Sequence, residues 1–256
     1  MITCAKAAEA AMPDQISRRY FLAMTAGALA ASTLSLPATA NEVPTLLDHI
    51  LLGCNDLDHG IDFVEKHTGV RAAFGGIHPG RGTRNALLSL GERRYLEIIA
   101  PDPQQSNAPD IYKLKGLDEP RLVTWAAHPG NILDLADRLA KDGIAAEGPT
   151  PGSRKRPDGK LLQWQTLNLK DNASGLLPFF IEWSADSSHP SSDAPRGCQL
   201  SSFDALTPDP LSLSRTANLV LRLDLSILKG DPAQLRATFA GPKGNLTVIS
   251  WPPYDF

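Results

Sequence analysis

Cysteine is scarce in this chain. Only Cys4, Cys54 and Cys198 occur in 256 residues, with no CxxC pair, which excludes a disulfide-built scaffold and a thiolate zinc cluster. An excess of one charge is also lacking: 25 Lys and Arg face 28 Asp and Glu, and the net charge of −3 argues against a nucleic-acid or polyanion binder. No apolar run of about 18 residues lies in the body of the chain, so no permanent membrane span is expected there. GxSxG, HExxH and Gly-Lys-Ser/Thr are missing, which sets aside serine hydrolase, zincin protease and phosphate-loop readings. What is present is 42% apolar residues, enough for a sizeable core. The 21 prolines and 20 glycines suit many short elements joined by turns rather than a helical bundle.

The first forty residues read as an address. Ser17-Arg18-Arg19-Tyr20-Phe21-Leu22 precedes a mildly apolar stretch, Ala23 to Leu36, and then Ala38-Thr39-Ala40. A twin arginine, an apolar region and a small-x-small cleavage site, in that order, are the parts of a bacterial Tat signal. This predicts cleavage before Asn41, the Tat translocase as a transient partner, and a periplasmic mature protein. That compartment is oxidising and permits Cys54 and Cys198 to pair, although two unpaired buried cysteines are the simpler expectation.

The body repeats one pattern. A strand over Leu46–Gly53, a helix over Leu57–His67 and strands over Val70–Phe74, Thr83–Leu90 and Arg93–Ala100 give the order β-α-β-β-β. Gly75–Gly82 reads as a loop between strands. The order recurs as Arg121–Ala127, a helix over Ile132–Lys141, Ile144–Glu147, a basic turn-rich loop Gly148–Lys160, Leu161–Leu169 and Leu177–Ser184. The prediction is an α+β fold in which residues 41–184 form one domain of two pseudo-equivalent halves. Residues 185–256 form a linker and a partial third module packed on it, with strands at Cys198–Leu206 and Leu219–Ser226, a helix at Pro208–Asn218 and a closing hairpin.

Several side chains stand out on chemical grounds. His78 lies among glycines whose backbone N–H groups are free to face an anion, and its ordinary pKa near neutrality suits acid–base work or a substrate hydrogen bond. Arg156, in the basic loop, is placed to hold a substrate carboxylate at a cleft mouth. Trp125, Trp164 and Trp183 fall inside strands, where an aromatic is core or the floor of a ligand site; Trp125 and Trp183 are taken as substrate-binding candidates.

The segments Leu47-Asp48-His49, Gly76 to Asn85, Tyr95-Leu96-Glu97-Ile98-Ile99, Arg156-Pro157-Asp158-Gly159, Pro178 to Trp183, and His189-Pro190 with Gly197-Cys198 resemble, in this order and spacing, the bacterial glyoxalase-like domain family of the vicinal oxygen chelate superfamily. The resemblance implies paired βαβββ modules curved into a cup-like mixed sheet with helices outside. It implies one divalent metal, of the Mn, Fe, Mg or Zn type, held by His49, Glu97 and Glu182, with Asn85, His78 and Arg156 orienting the substrate. The first strand of the second half, Leu122 to Ala126, supplies no fourth ligand. Two readings therefore stay open. One is a metal-assisted lyase or isomerase acting on a small oxygen-rich molecule. The other is a non-catalytic protein that binds or sequesters a small molecule in the same cup, without metal.

Overall fold

The computed structural model describes residues 43–250, so the Tat-type segment lies outside the described residues. Strand β1 (Leu47–Gly53) is followed by helix α1 (Leu57–Thr68), then β2 (Ala73–His78), β3 (Thr83–Ser89) and β4 (Tyr95–Pro101). The second half repeats the order as β5 (Arg121–Ala127), α2 (Ile132–Lys141), β6 (Ala146–Lys155), β7 (Leu161–Leu169) and β8 (Phe179–Trp183). All eight strands join one sheet, in the order β2-β3-β4-β1-β5-β8-β7-β6. In each half the first strand runs parallel to the fourth, β1 with β4 and β5 with β8, and the halves meet through the antiparallel pair β1–β5.

Local chemistry sets the helices. Asp56 caps α1 by accepting from His59 N, and Gly69 ends it with a left-handed φ of 82°, which favours glycine. Leu57, Ile61 and Val64 recur at helical spacing and are buried. Asn131 caps α2 through Leu133 N and Asp134 N, and Ile132, Leu135 and Leu139 form its buried face.

The sheet curls strongly because its ladders are interrupted. Register shifts occur at Phe74/Gly76, at Glu147/Thr150 and at two points of the β1–β5 pair, and each adds local twist. Curling brings the edge strands β2 and β6 together, where Arg154 donates to Gly75 O. This corrects two sequence expectations. The residues Gly75–His78, expected as a loop, are strand, and the basic loop is strand as far as Lys155. At Gly76, with φ 146°, an added Cβ would lie 2.8 Å from Lys155 O, so glycine is what lets the two edges approach.

Residues beyond the linker form a separate sheet, ordered β10-β9-β11-β12, from β9 (Gln199–Thr207), β10 (Ser226–Lys229), β11 (Gln234–Gly241) and β12 (Gly244–Ile249). The strand expected over Leu219–Ser226 is instead the end of helical backbone that starts with α3 (Pro210–Ser214) and continues to Val220. The Asn218 side chain holds this turn, accepting from Leu225 N and donating to Leu225 O. The main core lies between the outer face of the large sheet, the helices and the second sheet, with Leu47, Ile50, Leu52, Phe203 and Phe239 fully buried. Burial of each such side chain contributes roughly 1.5–3 kcal/mol. Cys54 and Cys198 are both buried and unpaired, and burial pushes the Cys54 thiol up to about 12.

Candidate functional site

The inner face of the curled sheet is built by residues two apart, as strand alternation requires. His49 and Leu51 from β1, with Tyr95 and Glu97 from β4, form one wall of a cleft of about 80 Å³. Phe179, Ile181 and Trp183 from β8 form the facing wall.

Glu97 is the centre of the polar wall and is 6% exposed. Its Oε1 accepts from Asn85 Nδ2 at 2.7 Å, its Oε2 lies 3.5 Å from His49 Nε2, and His78 Nε2 is 3.7 Å from Oε1. His78 is held by Thr83, with Nδ1 2.9 Å from the Thr83 hydroxyl. Burial lowers His78 to about 4, outweighing the attraction of Glu97, so it is a neutral ring at neutral pH. The His49 ring stacks on Tyr95 with centroids 4.5 Å apart. Burial also raises the Tyr95 phenol well above its usual value, reinforced by Glu97 and Asp48.

Behind His49 stands Asp48, fully buried. Its Oδ1 takes a hydrogen bond from His49 Nδ1 at 2.7 Å, and its Oδ2 those from Trp183 Nε1 and His189 Nε2, each at 3.2 Å. Burial alone would push this carboxyl up, but the hydrogen bonds from His189 and His49 prevail and hold it well below the usual carboxylate range. Asp48 thereby fixes the His49 ring and leaves Nε2 facing Glu97. Arg154, 4% exposed, adds the one buried guanidinium of the cleft. Burial lowers its pKa, and the charge of Glu97 counters that shift.

The structure thus brings together His49, Glu97, His78, Asn85 and Trp183. It separates three other candidates. Glu182 alternates with the cleft residues Ile181 and Trp183 and faces the helices, where its Oε2 accepts from Ile132 N at 2.6 Å at the start of α2. Trp125 is fully buried in the main core, donating from Nε1 to Leu176 O at 3.0 Å and lying edge-on to Phe203. Arg156 is ion-paired with Asp158 and Asp193 and lines a neighbouring cleft rather than this one. Asp48, Arg154 and His189 are site residues that were assigned no role from the sequence, although Asp48 and His189 lie within the segments that carry the family resemblance.

The residues do not fit the three-ligand metal set. With Glu182 on the outer face and Phe179, Ile181 and Trp183 in its place, the second half offers the cleft no carboxylate. Among the described residues no group of three His, Cys, Asp or Glu side chains is arranged to hold an ion. Asn85 already donates to the Glu97 carboxylate that would have to bind it.

The model of the glyoxalase-like domain family matches residues 47–223. The chain belongs to that family. No curated protein matches it. A hypothetical protein from Staphylococcus aureus shares the fold at 15% identity and a TM-score of 0.56, covering 79% of this chain and 84% of its own. Methylmalonyl-CoA epimerase from Mycobacterium tuberculosis aligns at 23% identity and a TM-score of 0.41, over 57% of this chain and 92% of its own.

Proposed function

We propose that this glyoxalase-like protein is an exported enzyme that moves a proton on a small oxygen-rich molecule, in lyase or isomerase fashion, with Glu97 and His49 as its acid–base pair. One observation carries the reading. Glu97 Oε2 and His49 Nε2 face each other 3.5 Å apart in a buried cleft, and both are acceptors unless a proton lies between them. Asp48 holds His49 in that orientation, Asn85 holds Glu97, and the Arg154 guanidinium lies in the same cleft to offset negative charge developing on a substrate oxygen.

The test is hydrogen exchange next to the carbonyl in a panel of small hydroxy and keto acids, followed by proton NMR in D2O. Glu97→Gln should slow exchange by about 10²–10⁴-fold. An absence of exchange with every member overturns the enzyme reading. The apolar second wall of Phe179, Ile181 and Trp183 favours the second reading, a binding or sequestration protein, which predicts ligand retention without exchange. Export by the Tat route is proposed on Arg18-Arg19 and Ala38-Thr39-Ala40. N-terminal mass analysis of the periplasmic fraction checks it, with Asn41 expected as the first residue.

A further inference from the structure

The cleft does not end at the acid–base floor. His78, Arg81, Trp164, Thr166 and Asn168 also line a wider groove of about 530 Å³ that continues between the end of β2 and the strands β6 and β7. Strand register orders its wall. Gly152 pairs with Trp164 and Thr150 with Thr166, so Thr150 and Gly152 share the inner face with Trp164, Thr166 and Asn168. An added Cβ at Gly152 would lie 2.4 Å from Trp164 Nε1 and 2.6 Å from Cε2, so that edge of the indole lies close against the backbone there. It also meets Trp183, tilted at 57° with ring centroids 5.3 Å apart. Trp164 is thus a fixed platform at the junction of cleft and groove.

Beyond Trp164 the wall changes from aromatic to hydroxyl and amide. The side chains of Thr150, Thr166 and Asn168 have no hydrogen-bond partner among the described residues. Arg81, exposed at the rim, has no ion-pair partner among them either, whereas Arg156 nearby is neutralised by Asp158 and Asp193. From Trp164 to Asn168 the strand spans about 13 Å, long enough for a chain of six carbons.

A fixed aromatic platform, a row of unengaged hydrogen-bonding groups and one unpaired cation at the exposed rim match a chain that carries several hydroxyls and an anion. We propose that the groove is a subsite for a polyhydroxy carboxylate extension of the substrate, of sugar-acid type. Its C–H face lies on Trp164, its hydroxyls on Thr150, Thr166 and Asn168, and its carboxylate on Arg81. This deepens, and rests on, the reading of the Glu97–His49 floor as the reacting end.

The test is isothermal titration of the whole protein with three probes: gluconate, sorbitol (hydroxyls without the anion) and hexanoate (the anion without the hydroxyls). Gluconate should bind at least tenfold more tightly than either. Arg81→Gln should weaken gluconate at least tenfold and leave sorbitol unchanged. Thr166→Val should weaken gluconate and sorbitol severalfold and leave hexanoate unchanged. Arg81 is exposed, so an unaltered melting temperature of Arg81→Gln shows that any loss is a loss of binding. The subsite is overturned by no gluconate binding, by sorbitol or hexanoate binding as tightly as gluconate, or by an Arg81→Gln variant that binds gluconate as the wild type does. Failure of the floor reading looks different: gluconate binding then follows this pattern while no small acid exchanges its hydrogen.

Discussion

The two halves of the large sheet share one backbone order and differ in what they show the cleft. The first presents His49, Asn85 and Glu97, with Asp48 behind them; the fourth strand of the second presents Phe179, Ile181 and Trp183. In the second half the matching carboxylate, Glu182, serves the start of α2 instead. The difference teaches that the duplicated framework did not duplicate its chemistry. One half carries the acid–base groups; the other confines what lies against them and adds the Arg154 guanidinium from β6. A buried polar wall opposite an apolar one lowers the local dielectric around Glu97 and strengthens each of its interactions.

The largest effect that would break this comparison is expected at Asp48. Asp48→Ala leaves His49 Nδ1, His189 Nε2 and Trp183 Nε1 without their shared acceptor in a fully buried place. The expected loss is about 3–5 kcal/mol of unfolding free energy, read from urea denaturation. A loss below about 1 kcal/mol would show that the polar wall is not one cohesive hydrogen-bonded unit.

Next comes acid. His78 is held at about 4 in the folded protein against an ordinary value near 6.5, by burial. The unfolded chain therefore takes up a proton below pH 6.5 that the folded chain refuses until about pH 4. The stability is fully present above pH 6.5, is lost as pH falls from 6.5 to about 4, and changes no further from this group below that. The loss is about 3 kcal/mol. Asp48 acts in a separate window, because a lowered carboxyl gives up its stability only below its ordinary value near 3.8. A His78→Gln variant should flatten the upper window and leave the lower one, in denaturation measured at a series of pH values.

How much of this was legible beforehand depends on strand alternation. The paired modules, both main helices and strand β7 follow from hydrophobic period and turn residues, and Leu161–Leu169 and Ile132–Lys141 agree residue for residue. The side of Glu97 was legible only through the family resemblance, since Tyr95-Leu96-Glu97-Ile98-Ile99 is apolar on both faces. The side of Glu182 was not. Phe179-Phe180-Ile181-Glu182-Trp183 is apolar on both faces, so nothing in its alternation marks the cleft side. Asp48 was hidden for a different reason. A register shift in the β1–β5 pair between Leu47 and His49 lets it reach His49 and Trp183, although strict alternation would turn it away from them. Arg154 was masked by Gly, Pro and Ser neighbours that read as a turn. The signal that would have found it is the two-residue spacing Thr150, Gly152, Arg154 opposite Thr166, Trp164 and Leu162.

The smallest effect sharpens the comparison most. Glu182→Gln keeps an oxygen able to accept from Ile132 N and removes only the charge at the N-terminal end of α2. A carboxylate there is worth about 0.3–1 kcal/mol through the helix dipole, so the melting temperature should fall slightly. Because the side chain faces the helices and not the cleft, ligand affinity and hydrogen exchange should stay within twofold of the wild type. Glu97→Gln makes the same chemical change at the corresponding strand of the first half, and there exchange should collapse. If Glu182→Gln instead cost as much exchange as Glu97→Gln, the two carboxylates would be equivalent after all. The division between a reactive half and a confining half would then be wrong.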